Sequence, residues 1–354
     1  MIQIVDTDFN AIPLDYTSDE YADIIVLPVL RQCQSNIKVM WCTSVYHKPL
    51  DAEAINESDV DLVVIAASDH PIHPEHPNLS GLDSLRCKYL LLGPNHDFTF
   101  HPYWSIYYPK SVNIAIPSME QVLNANRKYK FSCLNGHPSY ARIINLIHML
   151  ENQVFNDSVI TFNIVDTAGP NSQLDVQGME NQLSMNCPEY VDSFMELVGK
   201  LPINHPEIQP MPKAAENNLL FNVPLQVMNV AYTDSYINVI TESAEDFISE
   251  KSIKPLLAGQ LFTSISNQST MNLLREMGID TFDDIFDNHR YGEISDIHSR
   301  IRAMHEYLAG MSGTNMQELF ESTRGRRVAN RELILSGKIE KIYHANVIKF
   351  MENI

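Results

Sequence analysis

Short apolar runs separated by polar or helical links fill the first third of the chain. Continuous Val, Ile and Leu runs, such as the one in DLVVIAASDH, are typical of strands buried on both faces of a parallel sheet. The pattern predicts strands at Ile2–Val5, Ile24–Leu27, Val39–Trp41, Leu62–Ala66, Tyr89–Leu92 and Ile106–Tyr108. We therefore expect an open α/β sheet, with function gathered in the loops beyond the carboxyl ends of its strands.

A second strand–turn–helix pattern begins at Tyr129. The apolar strand Phe131–Leu134 runs into Asn-Gly-His-Pro and then into a helix with an apolar face, which is how a βαβ unit begins. Further elements are predicted as strands at Val159–Ile164, Val239–Thr241 and Leu261–Ser264 and as helices at Met271–Met277 and Ile297–Tyr307. The α/β pattern thus predicts an N-terminal domain over residues 1–128, a second domain over 129–310, and C-terminal helices over 311–354.

Composition narrows the class of protein. The 354 residues are 44% hydrophobic, and 25 Lys and Arg against 44 Asp and Glu give a net charge of −19, which argues against wrapping a polyanion over the whole surface. The stretch Arg324–Ile354 is the exception, because it carries more basic than acidic residues. A basic tail on an acidic body can contact an anion locally or pair with the body.

The cysteines and the apolar runs indicate the cellular compartment. An odd number of cysteines, five, without C-x-x-C spacing fits reduced thiols. The N-terminus MIQIVDTDFN predicts a first strand and not a signal peptide, and no apolar run approaches the ~20 residues of a membrane helix. We expect a cytoplasmic protein without a membrane partner.

The segment ISEKSIKPLLAGQ, residues 248–260, combines charge with strong backbone signals. Pro255 predicts a helix that starts shortly before it, with Ser252 as N-cap and Gly259 as the C-terminal stop. Glu250 and Lys251 would then lie at a helix N-terminus, where an anion such as a diphosphate is favoured. A lysine there can neutralise phosphate charge and a glutamate can accept hydrogen bonds from ribose hydroxyls. The alternative is a solvated capping segment.

The stretches YTDSYINVITES and FISEKSIKPLLAGQLF resemble the C-terminal motif of a group of phage and viral glycosyltransferases. They are also similar, more distantly, to the motif of α1,3-fucosyltransferases. The same group continues with a segment similar to Asn267–Asp287, which contains TFDDIFD, and its second domain opens with a strand like FSCLN. The resemblance covers Tyr129–Arg302. It departs at Asp287–Gly292, where an acidic Asp-Glu-x-Tyr-Asp motif is replaced by DNHRYG.

The resemblance implies a glycosyltransferase-B fold, in which two Rossmann-like domains face a cleft and the second binds the nucleotide sugar. It implies that Glu250 and Lys251 contact the donor, that Glu242 faces the donor sugar or ribose, and that Arg142 and Lys254 bind phosphate. Enzymes of this fold stabilise the diphosphate leaving group with helix dipoles and basic side chains, so we expect a nucleotide sugar in UDP-linked form as co-substrate, and no metal or other cofactor. C-terminal helices of this fold usually cross back to the first domain, and the resemblance implies the same for residues 311–354.

A transferase also needs a general base for the acceptor hydroxyl. Loops after strands of the first domain offer Asp69 as first choice and Asp97 as second, with His70 and His96 beside them. Each residue also has an ordinary loop role as its alternative.

Two sequence patterns resemble metal-binding motifs, but neither favours metal binding. The D-x-D triplets at residues 6–8 and 59–61 resemble the metal motif of the other glycosyltransferase fold, but such triplets are common by chance in so acidic a chain, and the second leads into a strand. The histidines of residues 70–76 are interrupted by prolines, so their spacing does not converge the side chains on zinc.

The resemblance implies a phage-encoded, nucleotide-sugar-dependent glycosyltransferase. No dinucleotide, Walker A or nucleophile-elbow motif in the sequence indicates another reaction. One acceptor is hydroxymethylated cytosine in double-stranded phage DNA, contacted through Arg324, Arg326 and Arg327. The alternatives are a glycan or small-molecule acceptor, and a catalytically degenerate module that only binds the nucleotide sugar.

Overall fold

The chain has two compact units, each built around a parallel sheet. In the computed structural model, the described residues are 3–5, 11–12, 38–42, 49–66, 77–92, 115–135, 139–152, 157–162, 174–203, 205–208, 227–242, 248–266 and 268–351. The first unit comprises Met1–Pro109 with Ser336–Ile354, and the second comprises Lys110–Leu335. The predicted α/β class with two Rossmann-like domains is confirmed.

Among the described residues, the first unit contains five strands that pair in the order β2-β1-β3-β4-β5. Its strands are β1 (Gln3–Val5), β2 (Ala11–Ile12), β3 (Lys38–Cys42), β4 (Leu62–Ala66) and β5 (Lys88–Leu92). The β2 strand is antiparallel to β1, and the other neighbours pair in parallel. The strands predicted at Ile24–Leu27 and Ile106–Tyr108 lie outside the described residues.

In the part of the second unit that the structure describes, four strands form a sheet and neighbouring strands pair in parallel. Its strands are β6 (Tyr129–Asn135), β7 (Ser158–Phe162), β8 (Ser235–Ile240) and β9 (Leu261–Ser264). The order β7-β6-β8-β9 places β6 and β8 side by side at the point where the chain changes its direction of winding. In open α/β sheets, ligands bind at such a switch point, outside the carboxyl ends of the strands.

Helices follow most of these strands. They are α1 (Ala52–Glu57), α2 (Met119–Leu123), α3 (Tyr140–Glu151), α4 (Val176–Asn186), α5 (Val191–Val198), α6 (Val230–Thr233), α7 (Glu250–Leu257), α8 (Gln268–Glu276), α9 (Asp283–Phe286), α10 (Asn288–Gly292), α11 (Ile297–Gly310), α12 (Met316–Ser322), α13 (Arg324–Leu335) and α14 (Lys338–Met351). Short 3-10 turns lie at Pro77–Leu79, Leu82–Ser84, Pro188–Tyr190 and Met311–Gly313. Of the three tail helices, α12 and α13 belong to the second unit and α14 to the first.

The core of the second unit lies between the sheet and α3, whose face carrying Ile143, Ile144 and Ile147 is fully buried. Helix α11 packs against α3, and Nε2 of His305 lies 2.8 Å from Oδ1 of Asn145. Because that contact is buried, the two helices form one packed layer over the sheet.

The described thiols are buried or half-buried and unpaired. Burial raises the pKa of Cys42 to about 12 and that of Cys133 to about 11, so both are inert neutral thiols at physiological pH. Among the described helices, none is both long and apolar enough to cross a membrane.

Candidate functional site

The carboxyl ends of β6 and β8 meet at the switch point of the second unit. Asn135 ends β6, and Thr241 and Glu242 directly follow β8. The hydroxyl of Thr241 donates to Oδ1 of Asn135 over 2.6 Å, which ties the two strand ends together. Because ligands of such sheets bind at this place, these residues form the floor of the candidate site.

Helix α7 starts three residues earlier than the sequence predicts. Ser249 is extended (φ −100°, ψ −175°), and its side chain accepts a hydrogen bond from the backbone N–H of Lys251, so Ser249 and not Ser252 is the N-cap. Pro255 lies inside the helix, where it cannot donate to the carbonyl one turn back. The predicted stop is correct, since Gly259 follows the helix with φ 60°.

Glu242 anchors the start of α7. Its carboxylate accepts from the backbone N–H of Ser249 (3.0 Å), the hydroxyl of Ser249 (2.5 Å) and the hydroxyl of Ser252 (2.6 Å). The backbone N–H of Ser252 in turn donates to the carbonyl of Ser249 over 3.2 Å. The N–H groups expected to hold a diphosphate are therefore already bonded within the protein, and phosphate binding here depends on side chains.

Glu250 and Lys251 form an ion pair at the start of α7, with Nζ of Lys251 3.1 Å from Oε1 of Glu250 and 3.2 Å from the hydroxyl of Ser249. Burial alone would raise the pKa of Glu250, but the charges of Lys251 and Lys254 and the hydrogen bond from Lys251 outweigh it and lower that pKa to about 2. Glu250 is therefore ionised at any physiological pH.

Lys254 lies one turn further along α7 and is only 5% exposed. Its Nζ lies 5.9 Å from the ring centroid of Tyr232, and none of the described residues accepts a hydrogen bond from it. Burial lowers the pKa of Lys254 to about 8, against the opposing attraction of Glu250. The side chain is thus a charged ammonium at neutral pH that lacks a hydrogen-bond acceptor among the described residues.

Arg142 belongs to the same edge of the sheet. It lies in the first turn of α3, is fully buried, and donates from Nη2 to the carbonyl of Thr241 over 3.2 Å. Since Thr241 immediately precedes Glu242, Arg142 supports the strand end that anchors α7. Its contact with phosphate stays a prediction.

The remaining predicted site residues belong to the first unit or to α13. Asp69 and Asp97, with His70 and His96, lie outside the described residues. Arg324 is exposed on α13. Arg326 and Arg327 are the remaining two predicted DNA contacts.

Arg326 and Arg327 use their donors within the second unit. Arg326 pairs with Asp280 (Nε to Oδ2, 2.5 Å) and with Asp284 (Nη2 to Oδ1, 2.7 Å). Arg327 is 1% exposed and donates to backbone carbonyls, including that of Gly259 over 2.5 Å. These contacts lend no support to the predicted DNA-binding role of either residue.

The metal-like patterns have ordinary partners where they are described. Asp59 pairs with the ammonium of Lys38, and Oδ2 of Asp61 accepts from the backbone N–H of Lys38 over 2.8 Å, both just before β4 begins. Within the described ranges, no group of three or more His, Cys, Asp or Glu side chains could hold a metal ion. The triplet at residues 6–8 and the histidines of residues 70–76 lie outside those ranges.

The segment that departs from the family pattern is structural. Asn288, at the start of α10, is fully buried and donates to the carbonyl of Thr281 over 2.6 Å, while its own oxygen accepts from Thr263 over 3.0 Å. The DNHRYG segment thus packs onto β9.

Sequence reasoning missed Ser249, Thr241 and Asn135, which hold the site together. Ser249 carried a signal, because a serine directly before Glu-Lys is a standard N-cap position. The bond between Thr241 and Asn135 joins residues 106 positions apart and has no local signal.

No protein-family model matches the chain, and neither does any curated protein sequence. Among solved structures, a UDP-forming α,α-trehalose-phosphate synthase from Burkholderia xenovorans is similar with a TM-score of 0.38 at 9% identity, over 90% of this chain and 69% of that one. A glycosyltransferase from Rickettsia africae is similar with a TM-score of 0.37 at 12% identity, over 97% of both chains. A second trehalose-phosphate synthase, from Burkholderia vietnamiensis, has a TM-score of 0.36 at 8% identity, over 98% and 79%. These likenesses are too distant to assign a function.

Proposed function

We propose that this chain is a nucleotide-sugar-dependent glycosyltransferase whose second unit binds the donor at the carboxyl ends of β6 and β8. The observation that carries the proposal is the grouping of Glu250, Lys251 and Lys254 on the first turns of α7, beside the switch point of a parallel sheet. Two ammonium groups and one ionised carboxylate suit a ligand that carries both a diphosphate and ribose hydroxyls.

Each side chain has a role in this proposal. Lys251 and Lys254 neutralise the diphosphate, whose charge builds up as the glycosidic bond to the leaving group breaks. Glu250 accepts hydrogen bonds from ribose hydroxyls, and Arg142 adds positive charge from the first turn of α3. Glu242 acts through α7, because its oxygens already accept three hydrogen bonds from Ser249 and Ser252. The lysines supply the positive charge, so the reaction requires no metal ion.

The general base comes from the first unit in this proposal, with Asp69 as first choice and Asp97 as second. Their carboxylates follow the predicted strands Leu62–Ala66 and Tyr89–Leu92, and loops of that kind carry the reactive groups of α/β enzymes. The family resemblance further suggests a phage enzyme acting in the host cytoplasm.

The acceptor is a hydroxyl group, and the contacts of α13 favour a glycan or small molecule over DNA. A DNA acceptor would need basic side chains free to meet phosphates. Arg326 is committed to Asp280 and Asp284, and Arg327 is buried. Hydroxymethylated cytosine in phage DNA therefore remains the second acceptor to test.

Thermal-shift measurements with UDP-, GDP- and CMP-sugars test the donor site. We expect one nucleotide series to raise the melting temperature, because a ligand that binds only the folded state stabilises it by an amount that grows with the logarithm of the ligand concentration relative to Kd. Glu250→Gln removes the charge while keeping the shape, and it should abolish the shift, whereas Glu293→Gln, on the surface after α10, should not. Absence of stabilisation by every nucleotide sugar would contradict the proposal.

Turnover separates an enzyme from a binding module. We expect release of the free nucleotide from the stabilising donor, which is UDP or GDP from the diphosphate donors and CMP from a CMP-sugar, and loss of that release in Glu250→Gln. Binding without release under all acceptor conditions would assign the chain to the degenerate class. Transfer of labelled sugar to oligosaccharides, compared with duplex DNA containing hydroxymethylcytosine, then decides the acceptor.

A further inference from the structure

The C-terminal end of α7 is held by three buried arginines. The carbonyl oxygens of residues 257, 258 and 259 each accept a hydrogen bond from a different guanidinium group. The donors are Arg331 Nη1 to Leu257 (3.5 Å), Arg127 Nη2 to Ala258 (3.4 Å) and Arg327 Nη1 to Gly259 (2.5 Å). We call Arg127, Arg327 and Arg331 the arginine clamp.

The clamp is fixed to other parts of the second unit. Arg127 also donates to the carbonyls of Tyr232 (2.8 Å) and Ser235 (2.7 Å), at the end of α6 and the start of β8. Arg327 donates to the carbonyl of Phe320 over 2.9 Å, and Arg331 to that of Pro117 over 2.7 Å.

The ring of Phe320 lies between clamp members. The guanidinium carbon of Arg127 lies 4.4 Å from the ring centroid and that of Arg327 lies 3.3 Å from it. Burial and the charge of Arg127 lower the pKa of Arg327 to about 9, so the group is still charged at neutral pH. The bond from Arg327 to the carbonyl of Gly259 is charge-assisted and therefore strong, whereas the bonds from the other two clamp members to α7 are longer.

Helix α7 needs such external support. It has eight residues, and Pro255 removes one of its internal hydrogen bonds. Helices this short are marginal by themselves and depend on tertiary contacts. Positive charge at the C-terminus of a helix is also the favourable sign for its dipole. Glu242 holds one end of α7 and the clamp holds the other.

We propose that Arg127, Arg327 and Arg331 are positioning residues for the donor site, since they fix the axial position and orientation of the helix that carries Glu250, Lys251 and Lys254. This rests on the proposed function, because it assigns the donor to the same helix. None of the three arginines contacts the donor; each acts through the backbone of α7.

The test compares clamp variants with a matched control on another helix. Arg331→Lys and Arg327→Lys keep the charge but lose the forked geometry. The control is Arg275→Lys on α8, because Arg275 pairs through Nε and Nη2 with Asp283 at 2.9 Å and makes no described hydrogen bond to α7. The dissociation constant for UDP, or for whichever nucleotide gives the thermal shift, is measured well below the melting temperature of every variant.

We expect the clamp variants to bind the nucleotide about tenfold more weakly, which equals ~1.4 kcal/mol, near what a hydrogen bond to a charged group contributes. In the assay of turnover, KM should rise more than kcat falls. Backbone amides of Lys251–Ile253 should exchange hydrogen faster in the clamp variants. Arg275→Lys should change neither this exchange nor the nucleotide affinity, even though it also lowers the melting temperature.

Two outcomes overturn the inference. One is unchanged hydrogen exchange in α7 in folded clamp variants, and the other is faster exchange with unchanged nucleotide affinity. If the wild-type protein binds no nucleotide, the proposed function fails, and the exchange measurement by itself still decides whether the clamp fixes α7. If Arg327→Lys does not fold, Arg331→Lys decides the test, because Arg331 lies at the edge of the cluster and is 7% exposed.

Discussion

Lys254 should make donor binding depend on pH. Its pKa is lowered to about 8, first by burial, so a part of the free protein loses this charge when the pH rises above neutrality. A bound diphosphate places negative charge beside the ammonium and restores its pKa towards the ordinary value for lysine. Binding is then coupled to proton uptake.

The magnitude follows from the position of the pKa. If only the protonated form binds, the dissociation constant scales with one plus the ratio of neutral to charged Lys254. From pH 7 to pH 9 it should rise about tenfold, or ~1.4 kcal/mol, when the pKa is about 8. Glu250 adds nothing to this change, because its pKa is lowered to about 2 and it stays ionised throughout.

Calorimetric titration with the stabilising nucleotide sugar measures both quantities. We expect weaker binding at pH 9 than at pH 7, with net proton uptake in buffers of different ionisation enthalpy near pH 8. Lys254→Met has no titrating group at this position, so its affinity should be low and change only with titration of the ligand itself. The difference between the two proteins therefore isolates Lys254. Wild-type protein that binds equally well at both pH values would refute the reasoning.

The pH dependence of the stability of the unliganded protein gives an independent check on the direction of the pKa shift of Lys254. The pKa of Lys254 is lower in the folded than in the unfolded state, so the unfolded state binds more protons between about pH 8 and pH 10.5. The contribution of Lys254 to the free energy of unfolding therefore rises with pH over that range. Below pH 8 the full cost of burying the charge is present. Lys254→Met should therefore raise the free energy of unfolding at pH 7 by up to about 3 kcal/mol in the absence of donor.

Three further predictions concern stability. Gly259→Ala should lower the free energy of unfolding by about 1–3 kcal/mol in urea titrations, because φ is 60° and an added Cβ would lie 2.4 Å from Cγ1 of Val122. Ser252→Ala should cost about 1–3 kcal/mol by the same measurement, since it removes a donor from the buried carboxylate of Glu242. Burial lowers the pKa of His305 to about 3, so between about pH 6.5 and pH 3 the unfolded state binds a proton that the folded state does not. The free energy of unfolding should therefore fall over this range by up to ~1.4 kcal/mol per pH unit. This slope should flatten in His305→Gln.

Each of these has a matched control. Gly278→Ala also has a left-handed φ of 85°, but its Cβ would lie 3.4 Å from Cδ2 of Leu333, so it should cost less than Gly259→Ala. Ser322→Ala removes an exposed hydroxyl and should be nearly neutral. His289→Gln, at an exposed position, should leave the acid slope unchanged. Equal effects in variant and control would contradict the corresponding prediction.

The sequence predicted buried parallel strands well. Leu62–Ala66 and Leu261–Ser264 match β4 and β9 to the residue. For β4 the signal is its uninterrupted apolar run, which is typical of a strand buried in a parallel sheet. Helix α5 was missed although Phe194 and Leu197 are buried on one face of it. Helix α4 was missed because only Leu183 of it is buried, so it has no apolar stripe to detect. Surface helices of this kind depend on caps, here Asp175, whose side chain accepts from the backbone N–H of Gly178 over 2.9 Å.

The candidate site was predicted in part. The residue types and the helix were identified, but not the N-cap at Ser249, because Pro255 argued for a later start. A proline is tolerated here because the clamp and Glu242 hold both ends of α7. The contacts of Arg326 and Arg327 could not be inferred, since composition does not separate a buried guanidinium from an exposed one. One signal existed: Arg327, Arg331 and Ile334 repeat at helical spacing on the buried face of α13.

Because several arginines are buried, the net charge of the sequence does not equal the charge that solvent and ligands meet. The described residues bury six of the 25 basic residues, namely Arg127, Arg142, Arg300, Arg327, Arg331 and Lys254, but of the 44 acidic residues they bury only Glu242. Arg127, Arg327 and Arg331 donate to backbone carbonyls, so these three guanidinium groups are used inside the second unit. Among the described residues, the accessible charge is therefore shifted towards the acidic side relative to the 25 basic and 44 acidic residues of the sequence. A polyanionic acceptor would have to overcome that field, whereas a nucleotide sugar at Lys251 and Lys254 meets positive charge only at its diphosphate. The same burial that positions α7 therefore favours an uncharged acceptor.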